Sequence, residues 1–306
     1  MSTNDNSPAA HQLKLTSSDL KKLIHPREKL WFRISLIWSI IIYACLLFTL
    51  VLFIYAPIFA IIALFTQGLL MGHVRGNAVR VSNTQFPEFY AATQKNCEKL
   101  NMPVPAIYII QSGGVLNAFA TRFLMRDYIV LYSDIVEIAY NQGAEAVEFV
   151  MAHELAHVKR GHLKKRVWIL PALLTPFLGK AYHRACEYTC DRFGAYCVPE
   201  GAVSGLLSLS AGKHLYKHVK ADQFAAQAYQ ETGFWIWFSE LLSTHPRLPK
   251  RLATLLSLDS VSCKVATPPT TAVYGAIKRD PNKLAEEFMV NQKTRQQSAI
   301  TSPQNG

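Results

Sequence analysis

Between Ile34 and Leu70 the chain runs for 37 residues without one charged side chain. No other stretch limits the possible folds so strongly. A membrane-spanning helix needs about 20 apolar residues, because each adds about 1.5 Å against a hydrocarbon layer of about 30 Å. Two short spans are therefore predicted, near residues 34–55 and 58–72, with Pro57 at the turn between them; a single long kinked helix is the alternative. The run is too long, and starts too late, for a cleaved secretion signal. Lys21, Lys22, Arg27, Lys29 and Arg33 precede it, and Arg75 and Arg80 follow it. Basic residues mark the cytosolic flank of a span. Positive charge on both sides predicts a hairpin with both ends in the cytosol, hence a multi-pass anchor in the cell (inner) membrane with the rest of the chain facing the cytosol.

The 32 Lys and Arg residues exceed the 21 Asp and Glu residues, for a net charge of +11. They are scattered or flank apolar runs, and no nucleic-acid motif or aromatic-basic stripe accompanies them, so an anionic lipid surface is the expected partner rather than nucleic acid. Six cysteines show no disulfide framework, which fits a reducing compartment.

The chemistry lies in residues 150–157, Val-Met-Ala-His-Glu-Leu-Ala-His. On a helix His153 and His157 project from one face about a turn apart and can grip one metal ion. Glu154 sits beside that face, where it can take a proton from a metal-bound water. This is the H-E-x-x-H arrangement of zinc metallopeptidases. Val147, Phe149, Val150, Met151, Leu155, Ala156 and Val158 surround it. A buried helix of that kind cannot carry two histidines and a glutamate cheaply unless they are paired or metal-bound.

A catalytic zinc site needs a third protein ligand and one open position. Glu187 is the candidate, with Asp191 four residues on, placed to accept a ring N–H from a ligating histidine. The plainer alternative is a solvated acidic face paired with Arg184 and Arg192. Cys186 and Cys190 are also four apart, but that pair lies about 100° around the helix from the Glu187/Asp191 pair. They read as small residues packed into the core, with a redox or second-metal role for Cys186, Cys190 and Cys197 as the alternative.

Elsewhere, Pro87–Leu100 predicts an amphipathic helix, and Ala106–Gln111 and Tyr128–Tyr132 predict strands, punctuated by Gly113-Gly114. A strand near Asn117–Thr121 is expected at a sheet edge, where an extended peptide could pair with it. Val167–Leu178 is apolar but too short to span a membrane; it predicts a buried loop and short helix, or else an element at the membrane interface or over the cleft. Phe234–Leu242, with Trp235 and Trp237, is expected as a core helix, with an anchor at the membrane interface as the alternative. Residues 1–18 and the chain beyond Cys263 are expected to be flexible.

These blocks together resemble the HtpX-like family of membrane-bound zinc metallopeptidases, whose clan includes the CAAX prenyl proteases. The resemblance rests on Phe86-Pro-Glu-Phe-Tyr90 leading to Asn101-Met-Pro-Val-Pro105, on Asn117-Ala-Phe-Ala-Thr121, on the H-E-x-x-H helix, on Glu187-x-x-x-Asp191, and on Ser243-Thr-His-Pro246 followed by Arg251. It covers roughly residues 75–258. It implies one Zn2+ per chain held by His153, His157 and Glu187, with Glu154 as catalytic base, Asp191 behind the ligands, and His245 near the developing oxyanion. Asn117, Ala118 and Phe119 would line the substrate cleft. The implied fold is α+β: a mainly helical zincin-type domain with a small sheet over residues 74–262, after a flexible segment 1–29 and a transmembrane hairpin 30–73, and before a flexible tail 263–306. The implied activity is endopeptidase cleavage of unfolded or membrane-derived protein substrates in membrane protein quality control. The alternatives are a CAAX-type processing protease, or a non-catalytic membrane adaptor whose metal site is structural and closed by Cys186 or Cys190. The family often carries two long apolar segments between its second histidine and third ligand. The short Val167–Leu178 stretch, broken by Pro171 and Pro176, departs from that pattern.

Overall fold

The computed structural model describes residues 17–49, 51–111, 113 and 117–258. The expectations for residues 1–16, for Gly114 and for the tail beyond 258 lie outside the described residues.

A short helix α1 (Ser17–Lys22) leads into α2 (Pro26–Phe48) and α3 (Val51–Asn77). Both α2 and α3 are long and apolar enough to cross a membrane. A core helix would pass the same test, yet none of the most apolar 18-residue stretch of α3 is buried; Met71 and Val74, nearer its end, pack against the sheet. The helices meet at Thr49, not at Pro57, which lies two turns inside α3. A proline there removes one N–H from the helix ladder. Membrane helices tolerate this loss, so the proline does not dictate the turn. Residues 17–29 are not a flexible lead. Leu20 and Ile24, one helical turn apart, are buried in the main core, Asp19 pairs with Lys22, and His25 Nδ1 accepts the Arg27 N–H to start α2.

Beyond the hairpin come β1 (Val79–Arg80), α4 (Pro87–Lys99), β2 (Ala106–Ile110), β3 (Ala118–Phe123) and β4 (Arg126–Tyr132). They form one mixed sheet in the order β1-β2-β4-β3. β2 runs parallel to β4, and β3 returns antiparallel with Phe119 opposite Val130. β3 therefore forms an edge of this sheet.

The remaining chain is helical: α5 (Ser133–Ile138), α6 (Ala144–Lys159), α7 (His162–Lys165), α8 (Leu170–Leu174), α9 (Leu178–Cys197), α10 (Ala202–Leu215), α11 (Ala221–Gln230), α12 (Phe234–Leu242) and α13 (Leu248–Leu256). α6 is buried on nearly every side from Ala146 to Ala156. One core joins Ile107, Ile129 and Leu131 of the sheet to Val147, Met151 and Leu155 of α6, Phe193 of α9, Leu206 of α10 and Leu252 of α13. α9 crosses α6 closely because Gly194 has no side chain; a Cβ there would meet the Phe149 ring at 2.8 Å. The result is a mostly helical α+β protein with a small sheet and an N-terminal pair of apolar helices.

Two apolar segments depart from expectation. α12 buries none of its residues. Its aromatics pack on one another, with the Phe234 and Phe238 rings stacked 5.7 Å apart. Three of its C-terminal carbonyls, those of Glu240, Leu241 and Ser243, accept Arg184 Nη1. The helix is thus held by its end and not by a buried face. Within residues 167–178 Ile169 and Ala172 are buried and Leu173 and Leu178 pack against them, while Val167, Trp168, Leu170, Leu174 and Phe177 stay exposed.

Candidate metal centre and active site

α6 sets His153, Glu154 and His157 along a buried face, and α9 lays Glu187 and Asp191 against them. His153 Nε2 stands 3.4 Å from Glu187 Oε2, and His157 Nε2 stands 3.3 Å from Glu187 Oε1. Both imidazoles thus turn the same nitrogen toward one carboxylate. Glu187 Oε2 is buried and takes no hydrogen bond, although Arg251 Nη1 lies 3.2 Å away. A buried carboxylate whose two oxygens each face an imidazole nitrogen, one of them without a hydrogen bond, is a donor set that fits a metal ion.

Each histidine is held from behind. His153 Nδ1 lies 3.0 Å from Asp191 Oδ1, and Arg251 grips Asp191 with two bonds, Nη2 to Oδ1 at 2.6 Å and Nε to Oδ2 at 2.8 Å. Behind His157 the partner is His162, with the two Nδ1 atoms 3.0 Å apart. His162 Nε2 in turn stands 3.3 Å from Glu28 Oε1, at the start of α2. Glu28 is 1% exposed and also takes a bond from Arg160. With His157 Nε2 turned to the metal position, its Nδ1 would carry the proton and donate to His162 Nδ1, leaving the His162 proton on Nε2, beside Glu28 but without a formed hydrogen bond.

The electrostatics follow from burial and pairing. Burial opposes a charge on His153, but Asp191 and Glu187 outweigh it and lift the imidazole to about 10. Burial would also raise Glu187; Arg251 and the two histidines hold it well below the usual carboxylate range. Asp191 is lowered in the same way, against its burial, by Arg251 and then His153. The pocket thus keeps two carboxylates ionised and draws a proton onto His153, a place that a bound cation would take instead. Glu154 differs. Burial raises its carboxyl, only partly offset by His157 and His153 and by the Ala120 backbone N–H it accepts. A carboxylate poised upward suits a proton acceptor.

These residues floor a groove of about 470 Å3 bounded by Asn117, Ala118 and Phe119 at the β3 edge and by Thr244, His245 and Pro246 opposite. His245 reaches to 3.6 Å from Glu187 Oε1 while its side chain stays 62% exposed. Of the residues singled out in the sequence, His153, Glu154, His157, Glu187, His245, Asn117, Ala118 and Phe119 line this groove, and Asp191 stands behind His153. Four were missed. Cys190 lies within 4.8 Å of His153 and His157, a cluster that could itself hold an ion. The helical-angle argument compared Cys190 only with Asp191; it is three residues after Glu187, and that offset returns it to nearly the same face. Its thiol is pushed well up by burial and then by Glu187, and sits 3.8 Å from His162 Nδ1. Cys186 packs with Ile169, Ala172 and Tyr182, as expected of a core residue. His162 follows His157 by five residues, one more than the His153–His157 interval, a signal available in the sequence. Glu28 and the pairing of Arg251 left none.

Residues 83–259 match the model of peptidase family M48. The chain belongs to this family. Among curated relatives, it is 27% identical over 191 residues to the plastoglobule-localized metallopeptidase 48, chloroplastic, of Arabidopsis thaliana, covering 55% of this chain and 54% of that protein. It is 39% identical over 85 residues to a protease HtpX homolog of Acaryochloris marina, 26% of each chain. It is 26% identical over 228 residues to a protease HtpX homolog of Burkholderia multivorans, 60% of this chain and 78% of that one. The chain thus spans about half the length of the first of these relatives and a quarter of the second. No solved structure matches it. Family membership makes the HtpX-like resemblance a finding, and M48 metallopeptidases depend on a metal.

Proposed function

We propose that this M48 member is a membrane-anchored zinc endopeptidase with its catalytic domain in the cytosol. The observation that carries the reading is the convergence of His153 Nε2 and His157 Nε2 on the buried Glu187 carboxylate, with Glu154 beside them at the floor of the groove. His153, His157 and Glu187 would hold the ion, and Asp191 would fix the His153 ring. Zinc, when bound, lowers the pKa of a water molecule and polarises a carbonyl. An extended substrate pairs its backbone with the free edge of β3 at Asn117, Ala118 and Phe119, so sequence selectivity is low. Glu154 takes the proton of the attacking water and delivers it to the leaving amine. His245, exposed at the rim, donates to the oxygen that gains charge. Weak sequence demand and a membrane anchor suit unfolded or membrane-derived proteins, hence quality control. A CAAX-type chamber would need more crossings than the two described here.

In detergent-purified protein, Glu154→Gln should keep its zinc and lose casein cleavage, whereas Glu187→Ala should lose zinc. Cleavage by Glu154→Gln at the wild-type rate would overturn the assignment of the base. Cys190 supports a second reading, a structural site closed by four ligands. Cys190→Ser separates the two. The catalytic reading expects unchanged zinc and cleavage, and the structural reading expects zinc to be lost.

A further inference from the structure

The segment between α7 and α9 leaves Val167, Trp168, Leu170, Leu174 and Phe177 uncovered, with Trp168 68% and Leu174 77% exposed. Its inner side lies against α2. Ser39 Oγ accepts the Ala172 N–H at 3.2 Å, Trp38 Nε1 donates to Thr175 Oγ1 at 2.9 Å, and the Tyr43 hydroxyl donates to the Val167 carbonyl at 3.1 Å. Ser39 lies six residues past Arg33, the last charged residue of α2, or roughly 9 Å along the axis. The Tyr43 side chain leans back toward the helix start, which brings its hydroxyl to a similar level.

We propose that residues 167–178 form a re-entrant element inserted among the acyl chains of the cytosolic leaflet. The inference rests on α2 and α3 being membrane spans, as the proposed function holds. A point roughly 9 Å past the basic flank of a spanning helix lies within one leaflet of a hydrocarbon layer of about 30 Å. The element enters after Lys164, Lys165 and Arg166 and leaves at Lys180, so cationic residues stand at both ends on the same side, where anionic headgroups lie. Irregular backbone at membrane depth survives only if its polar groups find partners in the protein. α2 supplies them through Ser39 and Tyr43, and the chain supplies others: Thr175 Oγ1 donates to the Pro171 carbonyl, the Trp168 and Ile169 N–H groups donate to the Lys165 carbonyl at the end of α7, and the Leu173 N–H donates to the Ile169 carbonyl. Pro171 and Pro176 carry no N–H to satisfy. The five uncovered apolar side chains then face lipid instead of water. Leu163 and Arg166, which border the groove, come to headgroup level, so the cleft opens at the membrane surface.

The test uses full-length protein in phosphatidylcholine/phosphatidylglycerol proteoliposomes, with Cys45→Ser and Cys263→Ser; Cys97, Cys186, Cys190 and Cys197 are buried. A spin label is placed at Leu174→Cys or, as a second position, Val167→Cys. Ile61→Cys in α3 is the lipid reference and Gln230→Cys the water reference. Collision with oxygen, which concentrates in lipid, is compared with collision with a water-soluble nickel chelate. The inference expects both segment labels to favour oxygen, as at Ile61. Labels that favour nickel, as at Gln230, while Ile61 favours oxygen would overturn the re-entrant element and leave the spans standing. Nickel access at Ile61 would overturn the spans themselves, and the inference with them.

Discussion

His157 is oriented by a carboxylate 129 positions away. The path from His157 through His162 to Glu28 does for the second histidine what Asp191 does for the first, except that Glu28 belongs to the apolar N-terminal hairpin. Carboxylates behind metal-bound histidines typically govern affinity by about 10–100-fold. Glu28→Gln and His162→Ala should each weaken zinc by about that factor, measured by competition with a chromophoric chelator, with far-UV circular dichroism unchanged. Zinc affinity equal to wild type in both would show that His157 is fixed by helix packing alone. Arg251 acts on the other side, as the counter-ion of two buried carboxylates. Removing one partner of a buried pair costs about 3–5 kcal/mol because the other is left uncompensated. Arg251→Met should therefore melt at a lower temperature, and the gap to wild type should widen after chelation, when no cation remains beside Glu187 and Asp191. The residues legible in the sequence were those whose partners share a helix: His153 with His157, and Glu187 with Asp191. Glu28 sat unremarked among Arg27, Lys29 and Arg33, where a lone acid reads as charge balance.

At the scale of elements, α6 is placed by contacts that leave no room for a side chain. A Cβ on Gly201 would come 1.9 Å from the Glu145 carbonyl oxygen, which is backbone and cannot swing aside. Gly201→Ala should cost at least the 1–3 kcal/mol typical of overpacking, roughly, and lower the thermal midpoint of the protease domain. A midpoint at or above wild type would mean that the connection between α9 and α10 yields freely. Element type was read well where periodicity and branching agree, as in α4, β2, β4 and the edge strand β3. It stays open between core and membrane interface where a segment is apolar on every side. Nothing in Phe234–Leu242 distinguishes a face to bury, and nothing in Val167–Leu178 says whether water, protein or lipid receives it. Pro57 misled for a different reason: proline marks turns in water, where a lost helix bond leaves the backbone free to redirect, and carries less weight inside a long apolar helix.

For the whole molecule, the sequence divides into an anchor and a protease joined in series, but the structure does not. Trp31, Phe32 and Leu36 of α2 cover Ile169, Ala172, Tyr182 and Cys186, so the first apolar helix closes a core whose other wall is α9, the helix of Glu187. The His25 N–H donates to Thr189 Oγ1, and its ring stacks on Tyr188. Lys165 lies over Phe32 and beside Glu28. Contacts to α2 therefore run along α9 on both sides of the metal-facing residues. Deleting residues 1–73 would strip away that wall, expose a buried apolar cluster and remove Glu28 in one step. The truncated chain should bind zinc more weakly than the Glu28→Gln full-length protein, because ligand orientation and helix packing fail together. The measurement is zinc per chain, after gel filtration, at a free zinc concentration that saturates wild type. A truncated protein that stays monomeric, keeps one zinc and cleaves casein would show that the hairpin is only a tether. Loss of zinc with retained helical content would instead make α2 a structural part of the protease, and would tie activity to the membrane that holds this helix in place.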